Sequence, residues 1–179
     1  EGKSTVSTNL AATLARKPQQ KILLLEGDLR RPVIAGNLGQ PKLPGLTEWL
    51  KAKPGPITNI YFLEGPGFYL LPAGVPADNP LELMQSGRLP GLIEELTARF
   101  DWIIIDSPPL LPLADTSLWS RLADGTLLVV REGKTEKQQL QRGLASLDSA
   151  NLLGVIVNDC TSTDHREYYS RYGPAGTSS

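Results

Sequence analysis

Cysteine occurs once, at Cys160, and histidine once, at His165, so the chain can neither close an internal disulfide nor assemble a Cys/His zinc site. A lone cysteine suits a reducing compartment. Long hydrophobic runs are also missing: none approaches the roughly 18 residues of a membrane span, and no signal-peptide pattern is visible, so the expectation is a soluble segment. Neither sign of charge is in excess, the net being −1, and no overall basic field points to nucleic acid. Arg30-Arg31 is a local exception, with a solvated surface pair as its plain reading. There is no internal repeat and no low-complexity linker. What remains is ordinary globular material, 40% apolar and 21% charged over 179 residues, enough for one domain with a full core.

The most informative residues stand at the start. Gly2-Lys3-Ser4-Thr5 reads as the end of the pattern G-x-x-x-x-G-K-[ST], a phosphate-binding loop whose first glycine would lie before Glu1. Such a loop wraps a polyphosphate in backbone N–H groups at a helix N-terminus, because unpaired amides and the helix dipole both favour anions. Lys3 would meet the β- and γ-phosphates, and the Ser4 hydroxyl would ligate Mg²⁺. The competing reading is an ordinary helix cap. Val6, Leu10 and Leu14 follow with helical spacing and Pro18 closes the segment, so loop precedes helix as the chemistry requires. A buried strand is expected ahead of the loop, before residue 1.

Apolar bursts of strand length recur at 22–25, 68–71, 102–105, 126–130 and 155–157. Continuous rather than alternating, they predict strands covered on both faces in a mostly parallel sheet. Helix starts are expected at Asn79-Pro80-Leu81-Glu82 and at Thr135 to Gln138, and an amphipathic stretch runs from Leu89 to Phe100. Residues 40–78, rich in proline and glycine, predict only a short helix around Trp49 and Leu50. The alternation implies a doubly wound α/β fold with helices on both sides of the sheet.

In such sheets ligands sit beyond the carboxyl ends of the strands, so acids placed there are privileged. One strand runs into Glu26-Gly27-Asp28 and another into Asp106, after which Ser107-Pro108-Pro109 forces the chain out of the sheet. Asp106 would hold Mg²⁺ directly or through water. Glu26 and Asp28 would face the same side if the chain stays extended, one binding metal while the other accepts a proton from an attacking hydroxyl. The alternative for each acid is to cap a nearby helix or to pair with Arg30 or Arg31. With Gly2-Lys3-Ser4, these acids converge on one expected cleft.

These motifs resemble those of the bacterial tyrosine kinases of capsule and exopolysaccharide export. Gly2-Lys3-Ser4-Thr5 resembles the end of their Walker A motif, and Ile22 to Pro32, reading ILLLEGDLRRP, their Walker A′ motif. Trp102 to Pro109 is similar to their Walker B, and Pro72-Ala73-Gly74 with Asn79 to Leu83 to their PAG…NPxEL stretch. The segments 129–135 and 154–158 also fit. The Arg-Arg-Pro ending is the specific part.

The resemblance implies a P-loop NTPase-like fold, with a kinase domain at 1–165 and a flexible, tyrosine-bearing tail at 166–179. It implies ATP- and Mg²⁺-dependent autophosphorylation on tyrosine. By the same resemblance, Lys3, Glu26, Asp28 and Asp106 are the catalytic residues, and Gly2, Lys3, Ser4, Thr5 and Asn158 bind nucleotide. Ser4, Asp28 and Asp106 serve the metal, and Tyr168, Tyr169 and Tyr172 are the acceptors. It further implies a membrane polysaccharide co-polymerase as activator (fused or separate), a homo-oligomer, a tyrosine phosphatase and a place at the inner face of the plasma membrane. Glu26 stands where the family usually has Asp. Two other readings compete: an ATPase switch of the septum-site or partition type, and a catalytically weak nucleotide-binding regulator of the export machine.

Overall fold

The computed structural model describes residues 2–40, 43–110, 114–135, 137–146 and 151–160. It opens with α1 (Lys3–Leu14), followed by β1 (Ile22–Glu26), α2 (Ile34–Asn37) and α3 (Leu46–Lys51). A short hairpin of β2 (Tyr61–Leu63) and β3 (Phe68–Leu71) comes next, then α4 (Pro80–Met84), α5 (Leu89–Thr97) and β4 (Trp102–Asp106). The chain continues through α6 (Ala114–Leu122), β5 (Thr126–Arg131), α7 (Lys137–Ser146) and β6 (Leu152–Asn158).

β1 is parallel to β3 on one side and to β4 on the other, and β2 closes the far edge antiparallel, giving the order β2-β3-β1-β4. β5 and β6 form a separate parallel pair. β4 and β5 face each other across an apolar cavity of about 380 Å³, lined by Leu10, Ile104, Trp119 and Leu127 among others.

Every residue of β1 is buried, and the period of two sorts them between two layers. Leu23 and Leu25 pack with Leu46, Leu71, Leu92, Leu96 and Trp119, the layer of α3, α5 and α6. Ile22 and Leu24 pack with Ala11, Ile34, Phe68 and Leu70, the layer of α1 and α2. Helices therefore cover both faces of a mostly parallel sheet, as the continuous apolar runs predict.

All five expected strands are present, and three further elements were not expected. β2 has three residues inside a Gly/Pro-rich stretch, and its turn is closed by the Gly67 N–H on the Leu63 carbonyl at 2.9 Å. α2 and α6 carry too few periodic apolar residues to stand out. One expected side-chain cap does not form. Asn79 makes no capping bond, so Pro80 alone marks the start of α4. The Thr135 hydroxyl, just ahead of α7, accepts the Arg131 N–H at 3.0 Å.

Candidate active site

Alternation along β1 and the register with β4 build the site. Glu26 and Asp106 are direct partners across the two parallel strands, so their side chains leave the sheet on the same face, the one covered by α1 and α2. Asp106 meets α1. Its Oδ2 accepts the Ser4 hydroxyl at 2.7 Å and its Oδ1 accepts the Ser7 hydroxyl at 3.1 Å. Two serines one helical turn apart thus share a carboxylate that lies about a hundred positions later in the chain. Asp106 is 4% exposed, and burial pushes its pKa above the ordinary carboxylate value. The Ser4 and Ser7 hydroxyls and the Lys3 ammonium oppose the shift, and the neighbouring Glu26 adds to it.

Gly2 precedes α1 in the left-handed conformation, φ 89°, and a Cβ there would collide with the Asn158 side-chain amide. Glycine serves both needs at once. The contact also brings Asn158, at the end of β6, to the phosphate loop. No acid lies in the first turn of α1, so its leading amides face no carboxylate of their own helix. Thr5 is exposed on that turn.

The A′ acids behave differently from each other. β1 ends at Glu26, two residues before Asp28. The Asp28 carboxylate folds back and accepts the backbone N–H groups of Arg30 (3.1 Å) and Arg31 (3.0 Å). Glu26 is 1% exposed and accepts three backbone N–H groups, those of Val33, Ile34 and Ala73. Between them, Gly27 faces the other layer. Its carbonyl accepts the Trp119 indole N–H at 3.2 Å, and its N–H donates to the Asp106 carbonyl at 2.8 Å. A Cβ on Gly27 would fall 2.8 Å from that indole nitrogen.

Lys3, Ser4, Asp106, Gly2 and Asn158 are thus brought together, with Glu26 beside Asp106. Tyr168, Tyr169 and Tyr172 lie outside the described residues. Sequence reading missed Ser7 and Trp119. Ser7 lies one helical turn after Ser4, a spacing that puts both on one face. Among the described residues no group of three or more His, Cys, Asp or Glu forms a metal cluster. The donors at α1 are hard oxygens, a hydroxyl and a buried carboxylate whose charge a cation would offset, and these fit Mg²⁺. Among the described residues no helix is long and apolar enough to cross a membrane.

No protein-family model matches the chain. It is 35% identical over 170 residues to the tyrosine-protein kinase YwqD of Bacillus subtilis, covering 94% of this chain and 71% of that protein. It is 34% identical over 160 residues to the tyrosine-protein kinase ptk of Acinetobacter johnsonii, covering 88% of this chain but 22% of that longer protein. The crystal structure of the VpsO kinase domain superimposes with a TM-score of 0.82 at 34% identity, over 90% of this chain and 80% of that one. The septum-site-determining protein MinD of Pyrococcus horikoshii, at 20% identity and a TM-score of 0.63, shares the fold. With the Ser4–Asp106 pair at the head of α1 and relatives of this identity and coverage, the chain belongs to the bacterial tyrosine-kinase family of capsular and exopolysaccharide biosynthesis, on a P-loop NTPase-like fold.

Proposed function

We propose that this domain transfers the γ-phosphoryl group of ATP to tyrosines in the tail of a neighbouring copy, and so regulates the assembly and export of an exopolysaccharide. The observation that carries the reading is the 2.7 Å hydrogen bond from the Ser4 hydroxyl to Asp106, which joins the phosphate loop to the strand-ending acid. Gly2, Lys3, Ser4 and Thr5 would receive the phosphates, and Asn158, whose side chain lies against Gly2, would contact the base. Mg²⁺, when bound, supplies charge neutralisation on the β- and γ-oxygens; Ser4 and Asp106 would hold it, with Asp28 on the neighbouring loop.

In the transfer, the tyrosine oxygen forms a bond to the γ-phosphorus as the bond to the β–γ bridging oxygen breaks. ADP leaves and the phenolic proton passes to a carboxylate, for which Asp28 is the candidate. Lys3 stabilises the charge that develops on the phosphoryl oxygens. Tyr168, Tyr169 and Tyr172 are the acceptors. A membrane co-polymerase serves as activator, a tyrosine phosphatase resets the tail, and the homo-oligomer works at the inner face of the plasma membrane.

Incubating the full chain with γ-labelled ATP and Mg²⁺ should place label on tyrosine in the tail, and Lys3→Met should abolish it. Label released only as inorganic phosphate would instead support a switch of the septum-site type, whose fold this chain shares.

A further inference from the structure

Glu26 occupies a strand-ending position that sequence reasoning assigns to catalysis, but its two oxygens are already engaged. Oε1 accepts the N–H groups of Val33 at 2.6 Å and Ile34 at 2.5 Å, and Oε2 accepts that of Ala73 at 3.1 Å. Three backbone N–H donors satisfy both oxygens of a carboxylate that is 1% exposed and so has little access to water. Val33 and Ile34 are the N-cap and first residue of α2, and valine has no side-chain oxygen with which to cap it. Glu26 performs that task from eight residues upstream of Ile34. Ala73 lies just past β3, on the turn whose carbonyls receive the Leu46 and Thr47 N–H groups at 2.9 and 2.8 Å. One carboxylate thus ties the end of β1 to the start of α2 and the exit of β3.

The segment between these ties is the loop that carries Asp28. It is pinned from within as well. Trp119 holds the Gly27 carbonyl, the Ala77 N–H holds the carbonyl of buried Leu29 at 2.9 Å, and Asp28 accepts from Arg30 and Arg31. An aspartate at position 26 would be shorter by one carbon–carbon bond, about 1.5 Å, and could not span to both α2 and Ala73 from the same backbone.

We propose that Glu26 is a positioning residue, a clasp that fixes the Asp28 loop against the phosphate site, and that metal binding falls to groups other than Glu26. This rests on the kinase reading for its effect on rate, but not for the clasp itself. The glutamate is then a working part of the site, and its extra methylene is the reach the clasp requires.

The test compares the full chain with Glu26→Asp and Glu26→Gln by three measurements. These are hydrogen exchange at the Val33, Ile34 and Ala73 amides, the Mg²⁺ concentration that half-saturates ADP binding, and kcat and KM for phosphotransfer. In Glu26→Asp the three amides should exchange about tenfold faster or more, while those inside β1 keep their protection. kcat should fall by about 10²-fold with KM for ATP nearly unchanged, as expected when a catalytic group shifts by about 1 Å. The Mg²⁺ requirement should stay within about twofold of the unaltered chain in both variants, since no ligand is lost. Glu26→Gln, which keeps one acceptor oxygen but turns an NH₂ toward Ala73, should fall between Glu26→Asp and the unaltered chain.

A large rise in the Mg²⁺ requirement of Glu26→Gln with the amides still protected would overturn the proposal in favour of a metal ligand. Faster exchange with unchanged kcat would reduce Glu26 to a structural cap, and a faster Glu26→Asp enzyme would overturn it as well. If the unaltered chain moves no phosphate to tyrosine, the kinase reading fails alone, and the amide and Mg²⁺–ADP measurements still decide the clasp.

Discussion

Asp106 is held in a conflict that a bound cation would resolve. Burial raises its pKa, so folding disfavours its ionised form, and two serine hydroxyls and Lys3 compensate only in part. Neutralising the side chain without changing its shape removes that cost. Asp106→Asn should therefore leave the thermal midpoint unchanged or raised while phosphotransfer falls by roughly 10²-fold or more, as loss of several kcal/mol of metal-borne stabilisation requires. Calorimetry beside a kinase assay checks both, and a lower midpoint with activity intact would contradict the assignment. Asp106 was legible because four apolar residues precede it and two prolines follow closely. Ser7 was not, since a hydroxyl one turn into a helix looks the same whether it faces solvent or an acid. The two A′ acids were legible as acids, but their partners depend on where β1 ends and on the start of α2, neither of which composition marks.

Among the elements, β1 organises the rest because it has a parallel partner on each side and a helical layer on each face. Its apolar run announced that position, as did those of its neighbours. Short elements held by tertiary contacts were harder to read. α3 is six residues long, below the length at which helices stand alone, and its C-terminal carbonyls lean on one side chain. Arg88 donates to the carbonyls of Trp49 (2.7 Å), Leu50 (3.0 Å) and Ala52 (2.9 Å), and its guanidinium lies 4.0 Å over the Trp49 ring. At the other end, Glu48 accepts the N–H groups of Gly45 (2.6 Å) and Val75 (2.9 Å). Arg88→Ala should cost about 2–3 kcal/mol in urea unfolding, from lost charged hydrogen bonds and the cation–π contact. Nucleotide affinity should hardly change, because no residue of this cap touches the phosphate loop. Nothing in the sequence around Arg88 marked it, since its partners lie more than thirty residues earlier.

At the scale of the whole domain, distant parts of the chain converge on the site. β6 ends at Asn158 beside Gly2, so the chain leaves the sheet toward its tail next to the phosphate loop. If acceptors are delivered by a neighbouring copy, the rate of tail phosphorylation per molecule should rise in proportion to protein concentration, below saturation of the assembly. A rate independent of concentration would mean transfer within one chain. The fold class was readable from the order of strands and helices, and the family from the A′ motif. The division of the sheet at β4 and β5 was not, because periodicity reports which faces are covered and says nothing of which edges are paired.

The reading depends on a single nucleotide site formed by the head of α1, Asp106 and the loop after β1. A crystal structure of the full chain with Mg²⁺ and ADP addresses it directly. The phosphates should lie on the amides of Gly2 to Thr5 with Lys3 alongside, and the metal ion should sit beside the Ser4 hydroxyl within reach of Asp106, directly or through one water. Density for the nucleotide elsewhere on the domain, or a metal ion remote from Asp106, would contradict it.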